Sequence, residues 1–404
     1  MRIKMLPLLS TLMMLFHICS RAAQPVTAPV NLQKNSHATE FTVTPLSGEL
    51  ARSYKLDTNF YRKCTIAQKI IIASSEKVSD YAHLESAYLI DLIMNDIKPD
   101  IAQRIRDKKP VCIIVGHNEL TSDLPQYPSD KKGKELDFYN WRNRGSLSSK
   151  NDHPTILVSE EDVLEYEGGM RLESVLIHEF AHLVDGAGFD EALHTRLTGV
   201  FNNAKAKGLW NDGYAAQRFE RVKSRKPVSL FNELVKAFSA QSPELLTKCL
   251  DGGDILVNGK PSNSKVEVTR EDKVLIVFGG PKQTYFAQNT AEYWAESVQC
   301  WYDCCRTNDH DHNQVHTREQ LQAYDPEMAR LCKNVLGDSK GRFVSPRVRA
   351  GTGHLKGYNP DKAPTVKKPD FIEEAGWDYY DKYWKDFWKR LYDKYGLKEN
   401  AQRS

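Results

Sequence analysis

The chain has 404 residues, of which 40% are hydrophobic and 27% are charged, and its formal net charge is +3. That length is ample for one large domain or two ordinary ones, and the near balance of charge predicts no nucleic-acid partner. No repeat of fixed period is present, so repeat architectures are excluded and a globular enzyme is favoured.

The first residues predict an export signal. Two basic residues precede an apolar stretch at 5–18, and Ala22 and Ala23 suit cleavage. Because the stretch is too short to span a bilayer comfortably, we expect residues 1–23 to be a signal peptide. The mature protein is then secreted or otherwise extracytoplasmic, with no membrane span. An uncleaved anchor and lipidation at Cys19 are the alternatives.

Composition divides the rest of the chain. Residues 24–60 are polar and contain prolines without periodicity, which predicts a flexible lead-in. We expect the main domain at 61–336, with a β-insertion at 251–280, and a C-terminal extension at 337–404. Aromatic residues at helical spacing predict an amphipathic helix in the extension, packed on the main domain or binding lipid, glycan or a partner. They are Trp377, Tyr380, Trp384, Phe387, Trp388, Leu391 and Tyr395.

The order of the predicted elements indicates an α+β fold. A β-branched strand at 69–73, a helix-periodic segment at 80–97 and a strand at 111–115 form a β-α-β unit. A long polar connection then leads to a strand at 155–159. Later predictions are helices at 189–206, 214–221, 229–249 and 289–299, and strands at 254–257 and 274–278 around the turn Asn258-Gly259.

His178, Glu179 and His182 form an HExxH pattern within an apolar run. The apolar neighbours predict a buried helix, and four residues make slightly more than one turn, so both imidazoles project from one face. One zinc ion can bridge them, while Glu179 lies beside the metal as a general base. The alternative is a core helix with two satisfied histidines and a salt-bridged glutamate.

A zinc enzyme needs a third protein ligand and an open fourth position. Gly188 excludes a third His or Asp six residues beyond His182, whereas Asp185 is a candidate ligand or, by preference, a partner of a ligand. Glu292 and Glu296 stand one turn apart on the predicted helix at 289–299. One can bind zinc while the other hydrogen-bonds an imidazole. Two surface glutamates are the alternative.

The stretches HEFAHLVD and TYFAQNTAEYWAE resemble the gluzincin metallopeptidases, in particular the group that includes anthrax lethal factor. The resemblance covers roughly residues 110–336, including WRNRG at 141–145. It implies a zincin-like fold with a mixed sheet, an active-site helix and an α-rich second half. It further implies that Glu292 is the third zinc ligand, that Glu296 orients the first His, and that Tyr285 faces the reacting oxygen.

We therefore expect a secreted zinc metallopeptidase acting on a peptide or protein substrate through zinc-activated water. Zn²⁺ is the expected cofactor. A secreted zincin-fold binding protein without activity and a zinc amidase acting on a non-peptide substrate are the alternatives. The strand at 155–159 is interpreted as an edge strand that pairs with extended substrate, or else as an ordinary internal strand.

A set of cysteines and a polar segment near the expected site can each be interpreted in two ways. The cysteines at 300, 304, 305 and 332 favour disulfides over a zinc-thiolate site, because their spacing matches no familiar zinc motif. The segment 308–316 contains His310, His312 and His316. We interpret it as a solvated polar loop, with an auxiliary metal site as the alternative.

Overall fold

In the described part of the chain, six strands form a mixed sheet in the order β1-β2-β3-β4-β6-β5. The computed structural model describes residues 40–171, 173–219, 221–307, 311–369, 372 and 387–398. Strands β3, β4 and β6 are parallel, and the other pairs are antiparallel. The strands are β1 (Thr44–Pro45), β2 (Lys63–Ala67), β3 (Ile70–Ser74), β4 (Val111–Val115), β5 (Ser146–Lys150) and β6 (His153–Ser159).

The predicted β-α-β unit is confirmed. Parallel strands need a crossover connection, and helices α2 (Asp80–Asp96) and α3 (Pro99–Asp107) supply it between β3 and β4. Ser79 begins α2, since its side chain accepts a hydrogen bond from the Tyr81 amide at 3.3 Å. Buried isoleucines from β3 pack under the crossover helices, so this unit supplies much of the main core.

The flexible lead-in predicted at 24–60 extends too far, because regular secondary structure already begins at Thr44. Residues 1–39, with the predicted signal peptide, lie outside the described residues. From Thr44 the chain pairs with β2, and helix α1 (Gly48–Ser53) follows, capped by the side chain of Ser47. Pro45, the proline of this segment that the structure describes, occupies the edge strand β1, where a missing N–H is tolerated.

Strand β6 is internal, so the interpretation of 155–159 as an edge strand is wrong. It pairs with β4 on one side and with β5 on the other. The polar connection predicted before it contains helix α4 (Gly133–Arg142) and then β5, which is the edge. The sequence SLSSK of β5 has few apolar residues, which is why no strand is predicted there from the sequence.

The second half of the protein is rich in helices. The helices predicted at 189–206 and 289–299 are confirmed, whereas the one predicted at 229–249 is two helices, because Pro243 starts a new helix capped by Ser242. In order, the helices are α5 (Glu160–Val163), α6 (Val175–Leu183), α7 (Glu191–Ala206), α8 (Leu230–Ala237), α9 (Pro243–Asp251), α10 (Thr290–Trp301), α11 (Arg318–Tyr324) and α12 (Pro326–Leu336).

The helix predicted at 214–221 is wrong, since strand β7 (Gly213–Phe219) lies there. It pairs antiparallel with β12 (Val274–Lys282), and this long-range pairing overrides the helical preference of its Ala, Gln and Arg residues. The predicted turn Asn258-Gly259 joins β9 (Ile255–Val257) to β10 (Lys260–Pro261) with positive φ at both turn residues. The β-insertion predicted at 251–280 therefore also includes β7, which lies before residue 251. A second pair joins β8 (Val228–Ser229) to β11 (Glu267–Val268).

In its described residues up to 369, the segment after residue 336 packs against the main domain. The carboxylate of Glu85 on α2 is fully buried and accepts hydrogen bonds from Arg349 and from His354 Nε2, the latter at 2.7 Å. Trp377, Tyr380 and Trp384 lie outside the described residues. Helix α13 (Phe387–Tyr395) buries Leu391 against the core of the insertion, so the predicted packing is confirmed for this part.

Arg144 of the WRNRG stretch makes a buried ion pair. Its Nε and Nη2 atoms donate to both carboxylate oxygens of Glu161 at 2.6 and 2.9 Å, and the two residues are 4% and 1% exposed. The carbonyl oxygens of Gly116 and Glu119 accept its remaining hydrogen bonds. Arg144 therefore ties the loop after β4 to the entry of β5.

Replacing Arg144 by Met leaves the buried carboxylate of Glu161 without its counter-charge. We expect the free energy of unfolding, measured by chemical denaturation, to fall by about 3–5 kcal/mol. The control is Lys55→Met, which removes an exposed ion pair with Asp152 and should leave the denaturation midpoint unchanged. Equal midpoints for Arg144→Met and the parent protein would contradict the assigned role.

The described cysteines all carry free thiols, so the disulfides favoured from the sequence are not formed. Burial raises the pKa of Cys304 and Cys332 well above the usual range, which keeps these thiols protonated. Each thiol near α10 has its own acceptor: the carbonyl oxygen of Val315 for Cys300, that of Gln299 for Cys304, and the carboxylate of Glu296 for Cys305.

Among the described residues, no helix combines the length and the apolar character needed to cross a membrane.

Candidate metal centre

Helix α6 carries the two histidines on one face. Ser174 caps it by accepting from the Ile177 amide at 3.4 Å, and its apolar residues other than Val175 are buried in the main core. The one-turn spacing brings His178 Nε2 and His182 Nε2 to 3.1 Å from each other. The predicted common face is therefore present.

Helix α10 brings a carboxylate to the same place. Asn289 caps it by accepting from the Glu292 amide at 2.9 Å, and Trp294 Nε1 donates to the carbonyl oxygen of Ala181 at 2.8 Å, which fastens α10 to α6. Glu292 Oε2 then lies 3.2 Å from His178 Nε2. It lies 3.4 Å from His182 Nε2.

The three donor atoms have the spacing that a tetrahedral zinc ion requires. Bonds of about 2.0–2.1 Å in tetrahedral geometry separate ligand atoms by about 3.3 Å, and the three separations here are 3.1, 3.2 and 3.4 Å. Glu292 Oε2 is buried and makes no hydrogen bond of acceptable geometry, although two imidazole nitrogens are close. The residues therefore fit a metal ion. We call His178, His182 and Glu292 the His178 centre.

The electrostatics of the His178 centre favour a positive charge at its middle. Burial lowers the pKa of His178, but the carboxylates of Glu292 and Glu296 outweigh burial and raise it well above the ordinary value. Burial raises the pKa of Glu292, but His178 and His182 outweigh burial and lower it to about 2. A proton or a metal ion can supply the positive charge that these groups stabilise.

Glu296 and Gln299 contact the Nδ1 atom of His178. His178 Nδ1 donates to Gln299 Oε1 at 3.1 Å and lies 3.2 Å from Glu296 Oε1, which leaves Nε2 free to act as a ligand. Glu296 is 1% exposed, and His312 and His178 outweigh burial and hold its pKa well below the usual range. Sequence reasoning missed Gln299, although the spacing of 292, 296 and 299 places all three on one face of α10.

Asp185 lies outside the His178 centre. It stands in a π-helical turn, Val184–Gly188, and its Oδ1 is 3.2 Å from His194 Nδ1 on α7. Burial raises its pKa, and the charges of His194 and then His182 act against that rise. Asp185 thus influences His182 through charge, while its nearest ionic partner is His194.

Glu179 faces the edge strand. A methyl group at Gly145, just before β5, would lie 3.4 Å from Glu179 Oε1 and 2.6 Å from Val175 Cγ1, so only glycine fits between β5 and α6 here. Burial raises the pKa of Glu179, although His178 and His182 act in the opposite direction. A carboxylate with a raised pKa is suited to accept a proton.

Tyr285 lies beside the His178 centre in a 3₁₀ turn, Tyr285–Ala287. Its ring centroid is 6.4 Å from that of His178, and its amide donates to the carbonyl oxygen of Asp311 at 2.7 Å. Burial, and then the charge of Glu292, raise the pKa of its hydroxyl, which remains a hydrogen-bond donor at neutral pH.

The segment 308–316 is not a solvated loop in its described part. His310 lies outside the described residues, while His312 is fully buried and its Nε2 lies 3.0 Å from Glu296 Oε2. The amide of His316 donates to Gln320 Oε1 at 2.9 Å at the start of α11. Sequence reasoning missed the burial because the segment has few apolar residues.

No family model, curated protein or solved structure matches the chain.

The ligand set can be tested by metal content. Glu292→Ala removes one of three converging donors, so we expect the zinc content measured by mass spectrometry to fall by about one ion per chain. At the His178 centre, Glu296→Ala removes a partner of His178 and not a ligand, and an outer partner typically contributes about 10- to 100-fold in metal affinity. Asp185→Ala is the control and should retain zinc. Loss of zinc from Asp185→Ala but not from Glu292→Ala would refute the assignment.

Proposed function

We propose that this protein is an exported zinc-dependent metallopeptidase of the gluzincin type. The observation that carries the proposal is the convergence of His178, His182 and Glu292, with the buried Glu179 next to His178 on α6. Export rests on the basic and apolar pattern of residues 1–23 and stays a prediction.

Each site residue has a role in peptide-bond hydrolysis. His178, His182 and Glu292 would hold the metal, and bound zinc supplies Lewis acidity that makes water reactive at neutral pH. Glu179 takes the proton of the attacking water and later delivers it to the leaving amine. Tyr285 donates its hydroxyl to the substrate carbonyl oxygen as negative charge develops there.

The edge strand supports a peptide as substrate. Among the described strands, β5 pairs with β6 alone, and its start lies against α6 at Gly145 and Val175. An extended peptide that pairs with a free sheet edge gains main-chain hydrogen bonds without depending on its own sequence. Such pairing would carry a scissile bond past Glu179.

Incubation of the zinc-loaded protein with a diverse peptide library, read by mass spectrometry, tests the proposal. We expect new peptide termini that disappear with a zinc chelator and return when zinc is restored. Glu292→Ala is the matched inactive variant. Intact peptides despite bound zinc would favour a binding protein, and hydrolysis confined to non-peptide amides would favour an amidase. Either result would overturn the proposal.

A further inference from the structure

A second group of donor atoms lies on the other side of Glu296. Glu296 Oε2 is 3.0 Å from His312 Nε2 and 3.3 Å from Cys305 Sγ, and all the donor atoms lie within 4.8 Å of one another. The three side chains are buried and come from α10 and the segment that follows it. We call Glu296, Cys305 and His312 the Glu296 cluster.

The fourth donor would be Cys300, whose thiol lies outside the group of three atoms within 4.8 Å of one another and would have to move toward it. It stands one turn after Glu296 on α10 and is fully buried, and it contributes to the raised pKa of the Cys305 thiol. Structural zinc sites are closed sites of four protein donors drawn from thiolates, imidazoles and carboxylates. Bonds of about 2.0–2.3 Å in tetrahedral geometry separate such donors by about 3.3–3.7 Å, so small shifts of the Glu296 cluster would accommodate zinc.

The charge of the donor atoms in the Glu296 cluster and the softness of the thiolates favour zinc over hard cations such as magnesium and calcium. The thiolates of Cys300 and Cys305 and the carboxylate of Glu296 would bring three negative charges to a divalent ion, as the three thiolates of a Cys₃His site do, and His312 would bind as neutral imidazole. The two thiol protons and any proton shared between His312 and Glu296 would pass to solvent on binding. Thiolate ligands select zinc over magnesium and calcium.

We propose that Glu296, Cys305 and His312, with Cys300 as the fourth donor, form a second zinc site that is closed and structural. Glu296 then links the two sites, since its Oε1 lies 3.2 Å from His178 Nδ1 while Oε2 faces the Glu296 cluster. The second ion fastens residues 305 and 312 to α10 and holds Glu296 in place behind His178. This inference does not depend on peptide hydrolysis.

The experiment measures metal content and the spectrum of the cobalt-substituted full-length protein, purified without chelators. We expect about two zinc ions per chain and, with cobalt, a near-ultraviolet thiolate-to-cobalt charge-transfer band. Cys305→Ala should lose about one ion together with the band. Glu292→Ala should lose about one ion and keep the band, because its donor belongs to the His178 centre. Cys332→Ala removes an equally buried thiol on α12 and should keep both ions.

A parent protein that holds only one zinc and shows no charge-transfer band with cobalt would overturn the inference. The Glu296 cluster would then be a set of hydrogen bonds. If Cys305→Ala does not fold, the cobalt spectrum of the parent protein still decides. Two zinc ions with the band but no peptide hydrolysis would refute the proposed function and support the second site.

Discussion

Glu179→Gln is expected to abolish turnover while leaving the zinc content unchanged. The carboxylate of Glu179 is buried and stands next to the first ligand, so an amide of the same shape keeps the packing but cannot take a proton. A general base contributes about 10²- to 10⁴-fold to the rate, and its loss appears in the chemical step. Initial rates on a peptide found in the library, with metal analysis of the same sample, measure both quantities.

The control for Glu179→Gln is Glu191→Gln, the same change at an exposed position in the first turn of α7, which should keep full activity. Turnover by Glu179→Gln within a few-fold of the parent rate would refute the role of Glu179 as base. Loss of zinc from the variant would show that Glu179 acts on the metal site itself, contrary to the prediction.

Tyr285→Phe is expected to lower the turnover number by about 100-fold or more, with little change in KM. The hydroxyl is a donor beside the His178 centre, and its bond to the substrate oxygen strengthens as negative charge develops there. An interaction made mainly in the transition state is lost from kcat, because substrate binding does not use it. Steady-state kinetics at confirmed zinc content give the two constants separately.

Tyr358→Phe is the matched control for Tyr285→Phe. It also removes a buried hydroxyl, which donates to the carbonyl oxygen of Leu164 at 3.1 Å, so it should affect stability and leave kcat unchanged. An unaltered kcat for Tyr285→Phe would mean that this tyrosine only packs between β12 and α10. The likeness to gluzincins would then stop at the ligands.

The parts of the site that could be predicted are those encoded within one helix. Residues four apart share a face, so the pattern at 178–182 was sufficient to place both imidazoles together, and the caps Ser174 and Asn289 mark the starts of α6 and α10. The β-α-β unit was also predictable from local sequence, because runs of β-branched residues such as Ile70–Ser74 have a strong preference for strands.

The choice among carboxylates needed information that no local pattern holds. Asp185 is close to His182 in the chain, yet the backbone turn at 184–188 directs it to His194, whereas Glu292 is distant in the chain and arrives because Trp294 packs α10 on α6. The resemblance to gluzincins indicated Glu292. Spacing alone left Asp185, Glu292 and Glu296 open.

The sequence by itself determined the helices and strands with strong periodicity and the residue types of the His178 centre. Only the tertiary structure decided that β5 rather than β6 is the edge, that 213–219 is a strand, and that His312 is buried against Glu296. These features depend on partners far away in the chain. Strand pairing and the burial of a polar side chain gain their free energy from those partners, so local propensity does not reveal them.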